Sequence, residues 1–337
     1  METKTETKGQ IAILGAGALG VMYGSMMTEK LGTDRVFFLA EEERIDRYKA
    51  EGIYCNGQKM DFSFYSPKQL KKAPDLVLIS VKFYQLEEAL KTAALAADEH
   101  TIFVSVLNGI SSEELLIERF GKEQVLYCCV QGMDAVKEKN HFTYTKTGYM
   151  SIGNPNQRLD AKLKFVARLL DEAGIDYEIP DDIRHKMWSK LMLNTGVNQA
   201  AAVFQVNYGG LQKDGLARTM MLEAMKETKR VAQYEDIDLT EEEITQWMEV
   251  LDGLNPDGMP SMRQDMLAGR ETELMLFAGF ICKKGREYGV LTPVNDYFYD
   301  GIRLMEKNRG ILSDDDWIEI DEKSWIEGEE DEKEKDF

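Results

Sequence analysis

The hexapeptide Gly15-Ala16-Gly17-Ala18-Leu19-Gly20 follows directly on the apolar run Ile11-Ala12-Ile13-Leu14 and opens a helix-like stretch. That order leaves few folds open. Gly15 is expected to allow a tight turn. Gly17 would let backbone N–H groups approach a pyrophosphate, and Gly20 would let the helix pack closely on the strand. The helix N-terminus adds partial positive charge for phosphates. The G-x-G-x-x-G spacing is weak evidence alone, but a strand before it and a helix after it are the context it requires. Residues 15–20 are therefore the expected cradle of a dinucleotide; an ordinary glycine-rich turn is the alternative.

The pattern continues for about 180 residues. Short apolar runs at 11–14, 36–39, 76–81, 102–107 and 125–130 read as buried strands. Helix-like segments at 18–31, 43–51, 86–97 and 112–120 separate them. Such alternation implies a parallel sheet covered on both faces. Asn56-Gly57 signals a hairpin with arms at 53–55 and 60–65. A β patch at 141–152 is expected to extend the sheet with antiparallel strands, followed by a helix at 158–173 and a strand at 177–179.

Past Pro180-Asp181-Asp182 the pattern changes to successive helices, at 183–204, 215–234, 241–251, 262–267, 271–288 and 293–307. Thr240 before Glu243 forms a capping-box pattern, and Thr292-Pro293 sets a cap and first turn. The fold class is therefore α/β: an N-terminal Rossmann-type dinucleotide-binding domain over 1–180, then an all-helical C-terminal domain over 181–310. Residues 311–337 carry thirteen acidic residues against three lysines, −10 of the total charge of −19. This tail is expected to be solvated and disordered, with Trp317, Ile318, Trp325 and Ile326 as its docking side chains. An acidic body argues against nucleic acid and anionic membrane as partners. A polar N-terminus and the lack of a long apolar run point to the cytoplasm. Cys55, Cys128, Cys129 and Cys282 form no metal-like cluster with His100, His141 and His185, so buried free thiols and no metal are expected. Met- and Leu-rich stretches at 217–225 and 274–281 leave a homodimer open.

Two features bear on chemistry. Glu41 lies at the end of the second strand, 21 residues after Gly20. A carboxylate there accepts from the ribose 2′-OH of NAD and repels the 2′-phosphate of NADP. Arg44 nearby could instead meet that phosphate, and a solvated Glu41 is the bland alternative. Lys190, Asn194 and Asn198 are spaced i, i+4, i+8 on a largely apolar helix and so share one stripe. Polar groups in that setting need partners or a wet cleft. They form either a substrate face or a structural network of amides.

The stretch Trp188–Asn198, W-S-K-L-M-L-N-T-G-V-N, resembles the ketopantoate reductase (2-dehydropantoate 2-reductase) family. The likeness extends over about residues 10–305. It takes in the glycine loop, S-V-K at 80–82, L-N-G at 107–109 and S-M-R-Q-D-M-L-A-G-R-E-T-E at 261–273. It implies NADP(H)-dependent reduction of a small 2-oxo acid, ketopantoate, to pantoate. It implies Lys190 as general acid, Asn194, Asn198 and Ser261 as substrate holders, and Glu273 on the hydroxyl or carbonyl end. Lys82 and Asn108 would flank the nicotinamide ribose. Alone, these four residues read as a strand-end lysine, a turn, a helix cap and a surface carboxylate. Glu41 occupies the place where the family commonly carries an Arg for the 2′-phosphate, which leaves NAD(H) open. The match after Asn198 is loose, and no contact is carried onto Asn207. A relative acting on another 2-oxo acid, of the D-mandelate dehydrogenase type, shares the same stripe. A dinucleotide sensor without turnover would need neither Lys190 nor Glu273.

Overall fold

The structure, a computed structural model, describes residues 9–311. The expectations for the acidic tail beyond Ile311 lie outside the described residues. The chain opens with β1 (Ile11–Leu14), α1 (Ala18–Leu31), β2 (Val36–Leu39) and α2 (Glu42–Glu51). β3 (Tyr54–Cys55), β4 (Gln58–Lys59), β5 (Ser63–Tyr65) and β6 (Leu76–Ile79) follow. Next come α3 (Leu86–Ala94), β7 (Ile102–Ser105), α4 (Ser111–Phe120) and β8 (Val125–Met133). β9 (Val136–Glu138), β10 (His141–Thr143), β11 (Thr147–Gly153), α5 (Ala161–Ala173) and β12 (Tyr177–Glu178) complete the α/β part. The rest is helical: α6 (Ile183–Val203), α7 (Tyr208–Gln212), α8 (Leu216–Ala232), α9 (Glu241–Asp252), α10 (Ser261–Leu267), α11 (Ala278–Tyr288) and α12 (Pro293–Asn308). Two compact units divide between Leu191 and Met192, inside α6.

In the first unit an eight-stranded sheet runs β12-β11-β8-β7-β6-β1-β2-β5. It is parallel from β5 to β8, and β11 joins β8 antiparallel, as the β patch led us to expect. Alternate residues of β1 face opposite sides. Ile11 and Ile13 pack with Val21 and Met22 of α1 and with Leu169 of α5. Ala12 and Leu14 pack with Leu86 and Leu90 of α3. Because both faces are covered, the central strands are apolar throughout.

The β patch did not stay in one sheet. β10 pairs with β3 and β9 in a separate four-stranded sheet, order β4-β3-β10-β9. The Asn56-Gly57 turn forms, with Asn56 and Gly57 at φ +48° and +80°. Its arms, however, are β3 and β4; β5, expected as part of the second arm, pairs in parallel with β2 instead. Four apolar or aromatic residues between 60 and 65 have a larger core to join at the sheet edge, where Phe62 and Phe64 meet Phe38.

In the second unit the helix expected over 271–288 is broken. A short 3-10 turn, Leu274–Leu276, precedes α11, and Phe277 between them has φ −113° and ψ −98°. α7 is an element that periodicity did not reveal, being five residues long with two glycines. The capping box at Thr240 and Glu243 forms as expected. Among the described residues no helix is long and apolar enough to cross a membrane.

One buried carboxyl lies in the first turn of α4. Ser112 Oγ donates to Glu113 Oε2 at 2.9 Å, and Ser105 Oγ donates to Ser112 at 2.8 Å. Burial pushes the Glu113 carboxyl up to about 8, against the hydrogen bonds from Ser112 and the backbone. Between the ordinary value of 4.5 and about 8, the folded chain holds a proton that the unfolded chain releases. Stability should therefore fall as pH rises through that window, by up to about 1.4 kcal/mol per unit. Glu113→Gln stays neutral, so urea unfolding should show it gaining on the native chain from pH about 5 to about 8. A difference that stays constant over that range would mean the buried acid does not titrate there.

Candidate active site

The glycine loop is built as its spacing demands. Gly15 has φ +107°, and a Cβ there would meet the Ser80 carbonyl oxygen at 2.3 Å. At Gly20 a Cβ would lie 2.0 Å from the Gly15 carbonyl oxygen, and at Gly17 it would lie 3.3 Å from that of Ser80. Gly17 is the extended N-cap of α1; no side chain caps the helix, and its first turn holds no acidic residue. Its leading N–H groups thus remain for an anion. β1 has β2 on one side and β6 on the other, so the loop stands at the point where the strand order reverses.

A groove runs from this loop along Gly15, Ala16, Ala40, Glu41, Arg44 and Tyr48. Glu41, exposed, is the N-cap residue of α2. Arg44 Nη2 lies 3.5 Å from Glu88 Oε2, so this arginine already faces a carboxylate. A turn without side chains, an uncapped helix end and a ribose-height carboxylate fit the adenosine half of a dinucleotide.

Further along the same sheet, Lys82 follows β6 and is the N-cap of the 3-10 turn Phe83–Gln85. Asn108 follows β7, just before Gly109 at φ +80°. Lys190 comes from α6 to the same place. Its Nζ donates to Asn108 Oδ1 at 3.0 Å and to the Val130 carbonyl at 2.7 Å. Behind it, Cys129 packs with Ile183 and Met187 of α6. Burial pushes the Cys128 and Cys129 thiols up, and the charge of Lys190 opposes this only in part. These thiols are neutral packing groups. The four cysteines are buried and unpaired.

In the second unit Asn194 and Asn198 are buried, one turn apart on α6. Asn198 Nδ2 donates to Asn194 Oδ1 at 3.1 Å. Asn198 Oδ1 in turn accepts from Ser261 Oγ and from Met262 N, both at 3.2 Å. Asn194, Asn198 and Ser261 are thus joined by direct hydrogen bonds. The amide network, offered as the alternative to a substrate face, is also present: Asn198 caps the start of α10. Glu273 is half-buried and leads the turn at Leu274–Leu276. Thr272 N, beside it, donates to Glu306 Oε1 at 2.8 Å.

Several residues escaped the sequence reading. The Val130 carbonyl that holds Lys190 has no sequence signature, because any residue supplies one. Ser80 matters through its backbone oxygen. Gln199, fully buried, accepts from Ala278 N at 2.9 Å and donates to Thr195 O at 2.7 Å and Asn295 Oδ1 at 3.2 Å. Its polarity beside Asn198 was a readable signal; its partners were not. Lys137 reaches the glycine loop from 121 residues away.

A glycine loop at a strand-order reversal, with a lysine held by Asn108 beyond the end of β7 and by Val130 of the adjoining β8, defines a dinucleotide-dependent oxidoreductase scaffold. Comparison with known proteins makes this specific. The family "Ketopantoate reductase PanE/ApbA" matches residues 11–157, and "Ketopantoate reductase PanE/ApbA C terminal" matches residues 182–306. The chain belongs to the ketopantoate reductase family, pyridine-nucleotide-dependent oxidoreductases acting on CH–OH donors. It is 28% identical over 300 residues to the 2-dehydropantoate 2-reductase of Aquifex aeolicus, covering 87% of this chain and 96% of that one. The enzyme of the same name from Archaeoglobus fulgidus is 27% identical, covering 88% and 98%. Among solved structures, a D-mandelate dehydrogenase with NADH and anilino(oxo)acetate is similar, with TM-score 0.80 and 25% identity over 89% of this chain and 99% of that one. A ketopantoate reductase from Ralstonia eutropha JMP134 shares the fold, with TM-score 0.77 and 24% identity over 89% and 99%.

The Asn198 cap makes a stability prediction. Asn198→Ala leaves the buried Met262 N–H without its acceptor and should lower unfolding free energy by about 1–2 kcal/mol. Asn198→Asp keeps an acceptor and should lose less. Thermal and urea unfolding measure both, and an Ala variant as stable as the native chain would show that the bond contributes nothing.

Proposed function

We propose that this chain reduces the C2 carbonyl of 2-dehydropantoate to the hydroxyl of pantoate, with residues 1–180 holding the cofactor and 181–310 holding the substrate. The observation that carries this reading is the Lys190 ammonium, fixed by Asn108 Oδ1 just beyond β7 and by the Val130 carbonyl of the adjoining β8 on the glycine-loop sheet. In such sheets ligands bind beyond the carboxyl ends of the strands. Residues 15–20 hold the pyrophosphate, Glu41 the adenosine ribose, and Lys82 and Asn108 the nicotinamide end.

The bound nicotinamide supplies the hydride. As negative charge grows on the substrate carbonyl oxygen, Lys190 Nζ stabilises it and gives up a proton to it. General acid catalysis of this kind contributes about 10²–10⁴-fold, and the fixed charge adds electrostatic stabilisation. Asn108 and the Val130 carbonyl hold the ammonium in place before substrate arrives, which limits reorganisation. Asn194, Asn198 and Ser261 position the substrate without adding a titrating group. Glu273 accepts from its hydroxyl.

A second reading has support of its own. The likeness to a D-mandelate dehydrogenase bound to NADH, together with Glu41 where a 2′-phosphate would sit, favours a related 2-oxo acid and NADH. Initial rates with ketopantoate, 2-oxoisovalerate and benzoylformate separate the two; ketopantoate should give the highest kcat/KM, and benzoylformate leading the series would replace the first reading with the second.

Lys190→Met should lower kcat by about 10²-fold or more while NAD(P)H binding persists. Turnover near the native rate would remove the lysine from the chemistry. For the cofactor, NADH should be preferred, and Glu41→Arg should shift kcat/KM towards NADPH. A native chain that already strongly prefers NADPH would overturn the role given to Glu41.

A further inference from the structure

Lys137 lies 121 residues from Ala16 in sequence, yet its Nζ lies 3.3 Å from the carbonyl oxygen of Ala16, inside the glycine loop. It comes from β9, an exposed strand of the small sheet, and its ammonium end is partly buried. The Phe142 ring of neighbouring β10 supports it at 5.4 Å from Nζ to ring centroid. The small sheet therefore delivers a cation to the start of α1, where the leading N–H groups already favour negative charge.

A second cation acts on it through its charge. Arg47, on α2, stacks over Tyr48 at 5.6 Å and acts electrostatically on Lys137. Burial first, and then the charge of Arg47, hold Lys137 below the ordinary lysine range, while Glu51 acts in the opposite sense. Among the described residues neither Lys137 nor Arg47 forms an ion pair. In a chain of net charge −19, an ammonium held at an uncapped helix end and repelled by a second cation marks a site short of an anion. A backbone carbonyl is a weak partner for a partly buried ammonium; a phosphate oxygen is a strong one.

We propose that Lys137 binds the pyrophosphate of the dinucleotide at the glycine loop, with the charge of Arg47 adding to its field. This rests on the dinucleotide reading above. The pyrophosphate is favoured over the 2′-phosphate because Ala16 lies two residues before α1, where the helix end acts, whereas the ribose end of the groove is marked by Glu41. The ammonium donates to a non-bridging oxygen of the ligand in place of, or together with, its bond to Ala16. Because both NADH and NADPH carry that group, the lysine adds affinity without choosing between them.

The test is titration of the full chain with NADH, NADPH and adenosine, for the native protein, K137M, K137R and R47M. K137M keeps an apolar stem for Phe142. It should raise Kd for NADH and NADPH alike, by about tenfold each. K137R should recover most of the loss, R47M should weaken both cofactors in the same direction, and adenosine, which has no phosphate, should bind each variant equally. A K137M Kd for NADH within twofold of native overturns the proposal. A loss confined to NADPH also overturns it, by assigning the lysine to the 2′-phosphate, and an equal loss for adenosine would assign it to the fold. If the native chain bound neither cofactor, the dinucleotide reading would fall first and this proposal with it.

Discussion

The contact between the glycine loop and the end of β6 is the constraint on which the first unit depends. Gly15 presses its backbone on the Ser80 carbonyl, and Gly20 presses on the carbonyl of Gly15, at distances that admit no Cβ. This closeness brings α1 down onto β1 and leaves its N-terminus open at the strand-order reversal. The same contact sets where Ala16 lies, and so where Lys137 ends. Had the loop been wider, α1 would still cover the sheet, but its amide groups would point at no common place.

On α6 the polar residues expected to meet the substrate are also joined into the structure. Its spacing of four places Lys190, Asn194 and Asn198 along one stripe. Lys190 turns to Asn108 beyond the end of β7 and to Val130 of β8, whose oxygens hold it. Asn198 turns to the start of α10 and caps it. The two readings of the stripe, amide network and substrate face, are therefore compatible. A side chain whose oxygen is already satisfied is held in one orientation, and its neighbour Ser261 with it. Fixed orientation is what a binding group needs.

Charge is distributed with similar economy. The chain is acidic overall, yet Lys82 follows β6, Lys137 reaches the glycine loop and Lys190 meets Asn108, all in the first unit. Arg44, which could have met a 2′-phosphate, faces Glu88. The surroundings of Glu41 are thus less positive than the arginine's presence in the sequence suggests.

Much of this was legible in the sequence, because it rests on local rules. Glycine spacing after an apolar strand determines a turn and a helix start, since only glycine adopts those angles and that closeness. The apolar runs determine buried parallel strands, and i, i+4 spacing determines a shared helix face. Tertiary structure decided what depends on pairing between distant segments. It sent β5 to the sheet edge rather than into a hairpin, split the β patch between two sheets, and broke the helix before Ala278. It also chose Val130 to hold Lys190, Ser261 to satisfy Asn198, and Lys137 to meet Ala16. A backbone carbonyl carries no sequence signature, and a lone lysine on an exposed strand looks like any solvated charge. Only the folded chain, by bringing segments 60 to 121 residues apart within hydrogen-bond distance, gives such groups their meaning.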